Sequence, residues 1–149
     1  MHPSVAKLAR ALTEAGAAGE PIELTDPAPT AVTAAEQLGC PVGAIANSLV
    51  FNADGMSLLV LTSGAHRVDT AKIAALVGAE KVRRADPDFV KEHSGYPIGG
   101  VPPVGHPTPI PTLVDTWLDR HGQVWAAAGH AHWVFPSTFA ELVRLTGGT

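Results

Sequence analysis

The sequence predicts a mixed α/β domain of the α+β type, with helices packed around a mixed sheet. Two observations carry this. Helical and strand-like segments alternate without a regular βαβ repeat, and Asp54-Gly55, a strong hairpin signal, joins two apolar runs that should pair antiparallel. The length, 149 residues, suits one domain over 1–149 with a core that needs no disulfide or metal as a staple. Hydrophobic residues at 46% and charged residues at 16% exclude a disordered chain or a coiled coil.

The first segment, "PSVAKLARALTEAG", sets Val5, Leu8, Ala9, Leu12 and Ala15 at helical spacing, with Ser4 as N-cap and Gly16 as stop. "PIEL" reads as a short strand. "TAAEQLG" reads as a short helix, with Thr33 and Glu36 as a capping box and Gly39 ending it. "SLVFN" (48–52) and "SLLVLT" (57–62) are the hairpin strands. Asp69 caps a helix through "TAKIAALVG" that turns Ile73, Leu76 and Val77 inward and closes at Gly78. "EKVRRA" is a charged edge strand.

Asp86 before Pro87 starts a helix that runs to about His93, because proline at the first helical position gives up an amide without a partner. Residues 94–111, "SGYPIGGVPPVGHPTPIP", are too rich in proline and glycine for a regular element. They also carry Tyr96, Ile98, Val101, Val104 and Ile110, so an ordered loop packed on the domain is expected. "TLVDTWL", "QVWAAAG" and "HWVF" are strand candidates. The last helix, "STFAELVRLTGG", has Thr138 and Glu141 as a capping box and Phe139, Leu142, Val143 and Leu145 inward.

Composition narrows the function. Net charge −4 and a pI near 5.9 exclude a broad basic nucleic-acid face, so any such contact is local. Arg67 and Lys72, then Lys81, Arg83 and Arg84, read first as a solvated face. The single Cys40 forms no internal disulfide, and the N-terminus lacks a signal-peptide pattern, so a reducing, cytoplasmic setting without membrane contact is expected. There is no Gly-x-Ser-x-Gly elbow, phosphate-binding Walker loop, His-Glu-x-x-His or dinucleotide loop.

His130 and His132 stand two apart, so in a strand both would face one way and could hold a metal with His66 or His106; polar histidines at a strand end are the plainer alternative. His66 and His106 sit in loops that could line a cleft. Trp117, Trp125 and Trp133 are expected in the core rather than as stacking platforms. Asp115 is either a buried anchor or a surface acid. In "GAIANSLVF" (43–51), Asn47 and Ser48 stand at the entrance of a buried strand, where unpaired polar groups are costly.

Four blocks, "AIANSLVF", "TSGAHRVDTAKIAALVGAEKVRRADPDFVKEHSGY", "PIGGVPPVGH" and "AAAGHAHWVFPSTFAELVRLTGG", in this order and spacing, resemble the YbaK family of aminoacyl-tRNA deacylases. That family shares its domain with the editing insertion of bacterial prolyl-tRNA synthetases and with free-standing ProX proteins. The resemblance implies a mixed, mostly antiparallel curved sheet and a cleft for the aminoacyl-adenosine end of mischarged tRNA. It further implies ester hydrolysis by a positioned water without cofactor or metal, small amino acids as targets, and a synthetase as a further partner.

Carried over by position, Asn47, Gly100 and Pro103 are the catalytic residues, the latter two through backbone groups at the reacting carbonyl. Ser48, His66, Arg67, Val101 and His130 are the substrate-binding ones, with Ser48 beside ribose or phosphate. Asn47 departs from the lysine common in the family, and a lost charge-assisted contact costs about 1.5–3 kcal/mol. Arg67 or another cation is then expected to take over the phosphate. A family member that binds the aminoacyl end without turnover is the alternative.

Overall fold

The computed structural model describes residues 3–26, 30–97, 100–106, 110–130 and 132–148. The chain runs α1 (Pro3–Glu14), β1 (Ile22–Glu23), α2 (Ala31–Leu38), β2 (Ile45–Ala53), β3 (Met56–Ser63), α3 (Thr70–Val77), β4 (Val82–Arg84), α4 (Pro87–Ser94), β5 (Thr112–Val114), β6 (Val124–Ala127), β7 (Trp133–Ser137) and α5 (Phe139–Thr146). Short 3₁₀ turns occupy Val42–Ala44 and Thr116–Arg120. The seven strands form one sheet in the order β1-β7-β6-β2-β3-β5, with β4 also on β2. Only β2–β6 and β3–β5 pair in parallel; the other pairings are antiparallel, so the expected mixed, mostly antiparallel sheet is present.

The β2–β3 hairpin is the spine, in register from Ala46 opposite Ser63 to Ala53 opposite Met56. Its turn places Asp54 at φ 53° and Gly55 at φ 91°, left-handed values that Asp-Gly tolerates. The Asp54 carboxylate accepts the Glu80 and Lys81 amides at 2.9 and 3.0 Å, tying the hairpin tip to β4. Alternation along β2 then divides the core. On one face Ala46 and Val50 join Leu59, Leu61, Ala126 and Phe135 beneath Leu8 and Leu12 of α1, Val90 of α4 and Leu142 of α5. On the other, Ile45 packs on α2 through Ala34 and Ala35, and Phe51, Leu58 and Val60 pack with Ile73 and Ala74 of α3.

Several elements differ from their sequence reading. α2 starts two residues before the expected "TAAEQLG" segment, because Thr30 rather than Thr33 is the cap: Thr30 Oγ1 accepts the Thr33 amide and the Thr33 hydroxyl faces the Thr30 amide, leaving Glu36 without a capping part. Ser4 lies inside α1 rather than capping it, since Pro3 is already helical; the residue before it lies outside the described residues. In α3 only Ile73 and its neighbours reach the core, and Leu76 and Val77 are 64% and 39% exposed, because an eight-residue helix on a sheet buries a narrow stripe. "TLVDTWL" is a strand only to Val114: Asp115 accepts the Trp117 amide at 2.9 Å and turns the chain into a 3₁₀ helix. Thr138 caps α5 as expected, but Glu141 reaches Ser137 Oγ at 2.6 Å and the Ala18 amide at 3.1 Å instead of closing a box.

Within 94–111 the described residues form an ordered, packed loop; Ile98 lies outside them. Tyr96 is 1% exposed and its hydroxyl donates to the Gly105 carbonyl at 3.2 Å. Val101 and Ile110 are buried in the same core. Burial pushes the Tyr96 hydroxyl above its ordinary pKa. Among the described residues no helix is long and apolar enough to cross a membrane.

Candidate active site

The functional cleft follows from where the sheet divides. One edge of β2 is covered along its length by β3. On the other edge β6 pairs only at Ile45 and Ala46, and β4 only from Phe51 to Ala53. Between them no described strand pairs with that edge of β2, and a cleft of about 400 Å³ opens there, within the range of small-ligand sites.

Because side chains alternate across a strand, Asn47 and Ser48 point to opposite faces and yet both line this cleft. Asn47 lies on the α2–α3 face with Ile45 and Leu49. There Thr30, Ala31 and Ala34 of the α2 start form one wall, Trp125 another, and Arg84 of β4 stands with its guanidinium 5.9 Å from the Phe51 ring. Ser48 lies on the opposite face, in a small apolar lobe of Val50, Ala85, Val90, Val101 and Ala126. Its Oγ is buried with no hydrogen-bond partner among the described residues. Such an orphan costs about 1–3 kcal/mol until something pairs with it.

The glycine-proline loop closes over the Ser48 side. A methyl group on Gly100 would stand 3.0 Å from His130 Cα and 3.2 Å from the Gly129 carbonyl carbon, so only glycine lets the loop approach this turn so closely. The Gly100 amide donates to the Pro97 carbonyl at 3.0 Å, and Pro102 and Pro103 have none to give. Val101 therefore carries the amide of this segment that has no partner among the described residues.

The structure thus brings Asn47, Ser48 and Val101 into one cleft and sets Gly100 and His130 side by side behind it. Pro103 instead lines a second, smaller hollow of about 200 Å³ with Val104, His106 and Thr112. His66 and Arg67 do not line the cleft.

His66 Nδ1 is 2.7 Å from Asp115 Oδ2, a carboxylate that also accepts the Ser63 and Trp117 amides. Burial opposes ionisation of Asp115, but those amides and His66 outweigh it and hold the carboxyl below its usual range. Asp115 is thus the anchor and not a surface acid. The histidine metal set does not assemble. His132 precedes the strand, His66 is committed to Asp115, and His106 Nε2 donates to the Pro102 carbonyl at 2.8 Å. Among the described residues no cluster of three His, Cys, Asp or Glu side chains can hold an ion. Burial lowers the His106 pKa, with nearby Lys7 adding to the effect and the Pro102 hydrogen bond opposing it.

Two residues of the cleft escaped the sequence reading. Arg84 reads in sequence as part of a solvated charge run, and nothing in "EKVRRA" reveals that pairing opposite Phe51 aims it at the cleft. Trp125 reads as core, yet it packs on the α2 cluster and lines the cleft. Trp117, also expected inside, is 43% exposed with the Arg120 guanidinium 3.7 Å over its ring.

A mixed sheet divided by a cleft of this size defines an α/β domain with a small-ligand site. Comparison with known proteins narrows this: the chain belongs to the aminoacyl-tRNA editing domain family, whose profile matches residues 25–145. It is 41% identical, with a TM-score of 0.94, to a crystal structure of a candidate trans-editing enzyme for prolyl tRNA synthetase, covering 100% of this chain and 95% of that one. It is 32% identical over 114 residues to the uncharacterized YwhH protein of Bacillus subtilis, covering 76% of this chain and 72% of that one. Against the proline–tRNA ligase of Nitratidesulfovibrio vulgaris the identity is 34% over 68 residues, 46% of this chain and only 12% of the ligase.

Proposed function

We propose that the protein is a trans-acting editing hydrolase that cleaves the ester between a small amino acid and the 3′ end of a mischarged tRNA, with tRNA-Pro the leading candidate. The observation that carries the reading is the cleft through the divided sheet, polar and cationic on one face and small and apolar on the other. On the Asn47 face, Trp125 offers a surface for the terminal adenine, and Asn47 and Arg84 offer hydrogen bonds and a positive charge for ribose and phosphate. On the Ser48 face, the valine-and-alanine lobe fits a short side chain.

In this reading the Val101 amide faces the ester carbonyl, where a fixed donor favours the developing oxyanion. Water adds at the carbonyl carbon, the ester C–O bond breaks, and the ribose oxygen leaves with a proton. Loop and cleft contribute position rather than a covalent intermediate. Gly100 and His130 shape the loop from behind. The ammonium that lysine supplies elsewhere in the family is replaced in part by Arg84, and an aminoacyl-tRNA synthetase is the source of the erroneous substrate.

The test is a deacylation panel of aminoacyl-tRNAs with the purified protein. The reading expects hydrolysis above the spontaneous rate for small amino acids; rates equal to the spontaneous one across the panel would remove it.

A further inference from the structure

The β2 register exposes more than a side chain at Ser48. In β3, the Leu59 amide donates to Pro111 and the Leu61 carbonyl accepts from Asp115, so both residues turn their backbone groups towards β5. The intervening Leu58, Val60 and Thr62 therefore face β2, and bond Phe51, Leu49 and Asn47 opposite them. Ser48, between Asn47 and Leu49, must direct its own N–H and C=O to the other edge. There the β6 ladder has ended at Ala46. The next contact from β4's side is the Ala85 amide on the Val50 carbonyl at 3.3 Å. Ser48 thus turns its N–H and C=O to an edge that neither the β6 nor the β4 ladder reaches, and adds to them a buried Oγ with no partner among the described residues, at one point of the cleft.

The geometry points to a binding mode that completes the sheet: the aminoacyl group of the substrate docks as a single strand residue between β6 and β4. Its ester carbonyl accepts the Ser48 N–H, and its α-ammonium donates to the Ser48 carbonyl and Oγ. This assignment rests on the editing reading and deepens it, because it makes the amino acid's own backbone atoms the recognised feature and Ser48 the residue that positions them.

The opening is one residue long. Between the two ladders Ser48 turns both backbone groups outward; of the neighbouring outward positions, Ala46 is engaged by β6 and the Val50 carbonyl by the Ala85 amide. An occupant with one amine and one carbonyl fits; a peptide or an N-acylated amino acid would extend into a covered position. The substrate class is an amino acid ester with a free α-amine. The side chain of such an occupant alternates onto a sheet face as any strand residue does, which directs it to the Val50, Val90 and Val101 lobe.

The experiment titrates the ¹⁵N-labelled protein with 3′-(L-alanylamino)-3′-deoxyadenosine, an amide-linked mimic that is not an ester, and with its N-acetyl derivative. The expected result is saturable binding, a downfield shift and slowed exchange of the Ser48 amide proton, and binding of the N-acetyl form weaker by about tenfold or more, as loss of a charge-assisted hydrogen bond implies. In Ser48→Ala the mimic binds several-fold more weakly while the amide at this position still shifts, separating Oγ from the backbone. No saturable binding, a Ser48 amide that does not respond, or an N-acetyl form that binds within twofold of the free amine overturns the assignment. If the mimic binds as expected but alanyl-tRNA is not hydrolysed, the deacylase reading falls and the docking mode stands; if alanyl-tRNA is hydrolysed and the Ser48 amide is silent, the reverse holds.

Discussion

Gly100→Ala tests the loop geometry at the position where its magnitude is easiest to work out. The new methyl would meet His130 Cα at 3.0 Å, His130 N at 3.1 Å and the Gly129 carbonyl carbon at 3.2 Å, all backbone atoms and all inside ordinary contact distance. That turn has little room to retreat, since Gly129 is itself pressed on α1: a methyl there would be 2.8 Å from the Ser4 carbonyl oxygen. The loop therefore moves instead, by a few tenths of an ångström, at an overpacking cost of about 1–3 kcal/mol. Such a shift displaces the adjacent Val101, which lines the cleft, and misplacement near an ångström costs about a hundredfold in rate.

The expected outcome is a 10- to 100-fold loss in single-turnover deacylation and a melting temperature lower by roughly 2–4 °C per kcal/mol. Gly129→Ala is the control. At φ 99° it is strained as well as crowded, so it loses more stability than Gly100→Ala. Gly100→Ala with activity within twofold of the parent would refute the loop-to-carbonyl argument.

The remaining predictions concern charge. Arg84→Ala weakens binding of the alanylamino mimic carrying a 5′-phosphate by about 1 kcal/mol, roughly fivefold in Kd, since an exposed ion pair is worth no more. Asn47→Lys in that background recovers the loss, because the new ammonium stands on the same sheet face; calorimetric titration reads both. Asp115 has its pKa lowered in the fold, so the stability it contributes is present above roughly pH 4 and lost as pH falls through its folded value. Asp115→Asn therefore shrinks the stability difference between pH 7 and pH 3 in denaturant melts. His106, lowered by burial, stabilises above roughly pH 6.5 and loses that contribution as pH falls, so His106→Gln flattens the melting temperature between pH 7.5 and 5.5.

Local chemistry was legible in the sequence wherever a residue acts on its neighbours. Asp86 ahead of Pro87, Asp69 ahead of α3 and the Asp54-Gly55 turn each do what their side chains dictate. The misreadings arise where two local options compete. Thr30 and Thr33 can both cap, and the extended backbone at Thr30 decides it; Asp115 can continue a strand or turn it, and two backbone amides decide it.

The cleft was only half legible. Of the positions carried over from the motif blocks, Asn47, Ser48 and Val101 line the cleft, and Gly100 stands against His130. Arg84 and the open backbone of Ser48 did not show, because both depend on where β4 and β6 stop along β2. No periodicity encodes the length of a ladder between segments some thirty or more residues apart. Arg67 and Pro103, carried over by position alone, lie away from the cleft that the long-range pairing creates.

Single-turnover hydrolysis of alanyl-tRNA-Pro beside correctly charged prolyl-tRNA-Pro, with the parent protein carrying Asn47, tests the central claim most directly. The account predicts that the alanyl ester is cleared well above its spontaneous rate while the prolyl ester, whose ring nitrogen and bulk suit neither Ser48 nor the valine lobe, is spared. Equal spontaneous decay of both would contradict it.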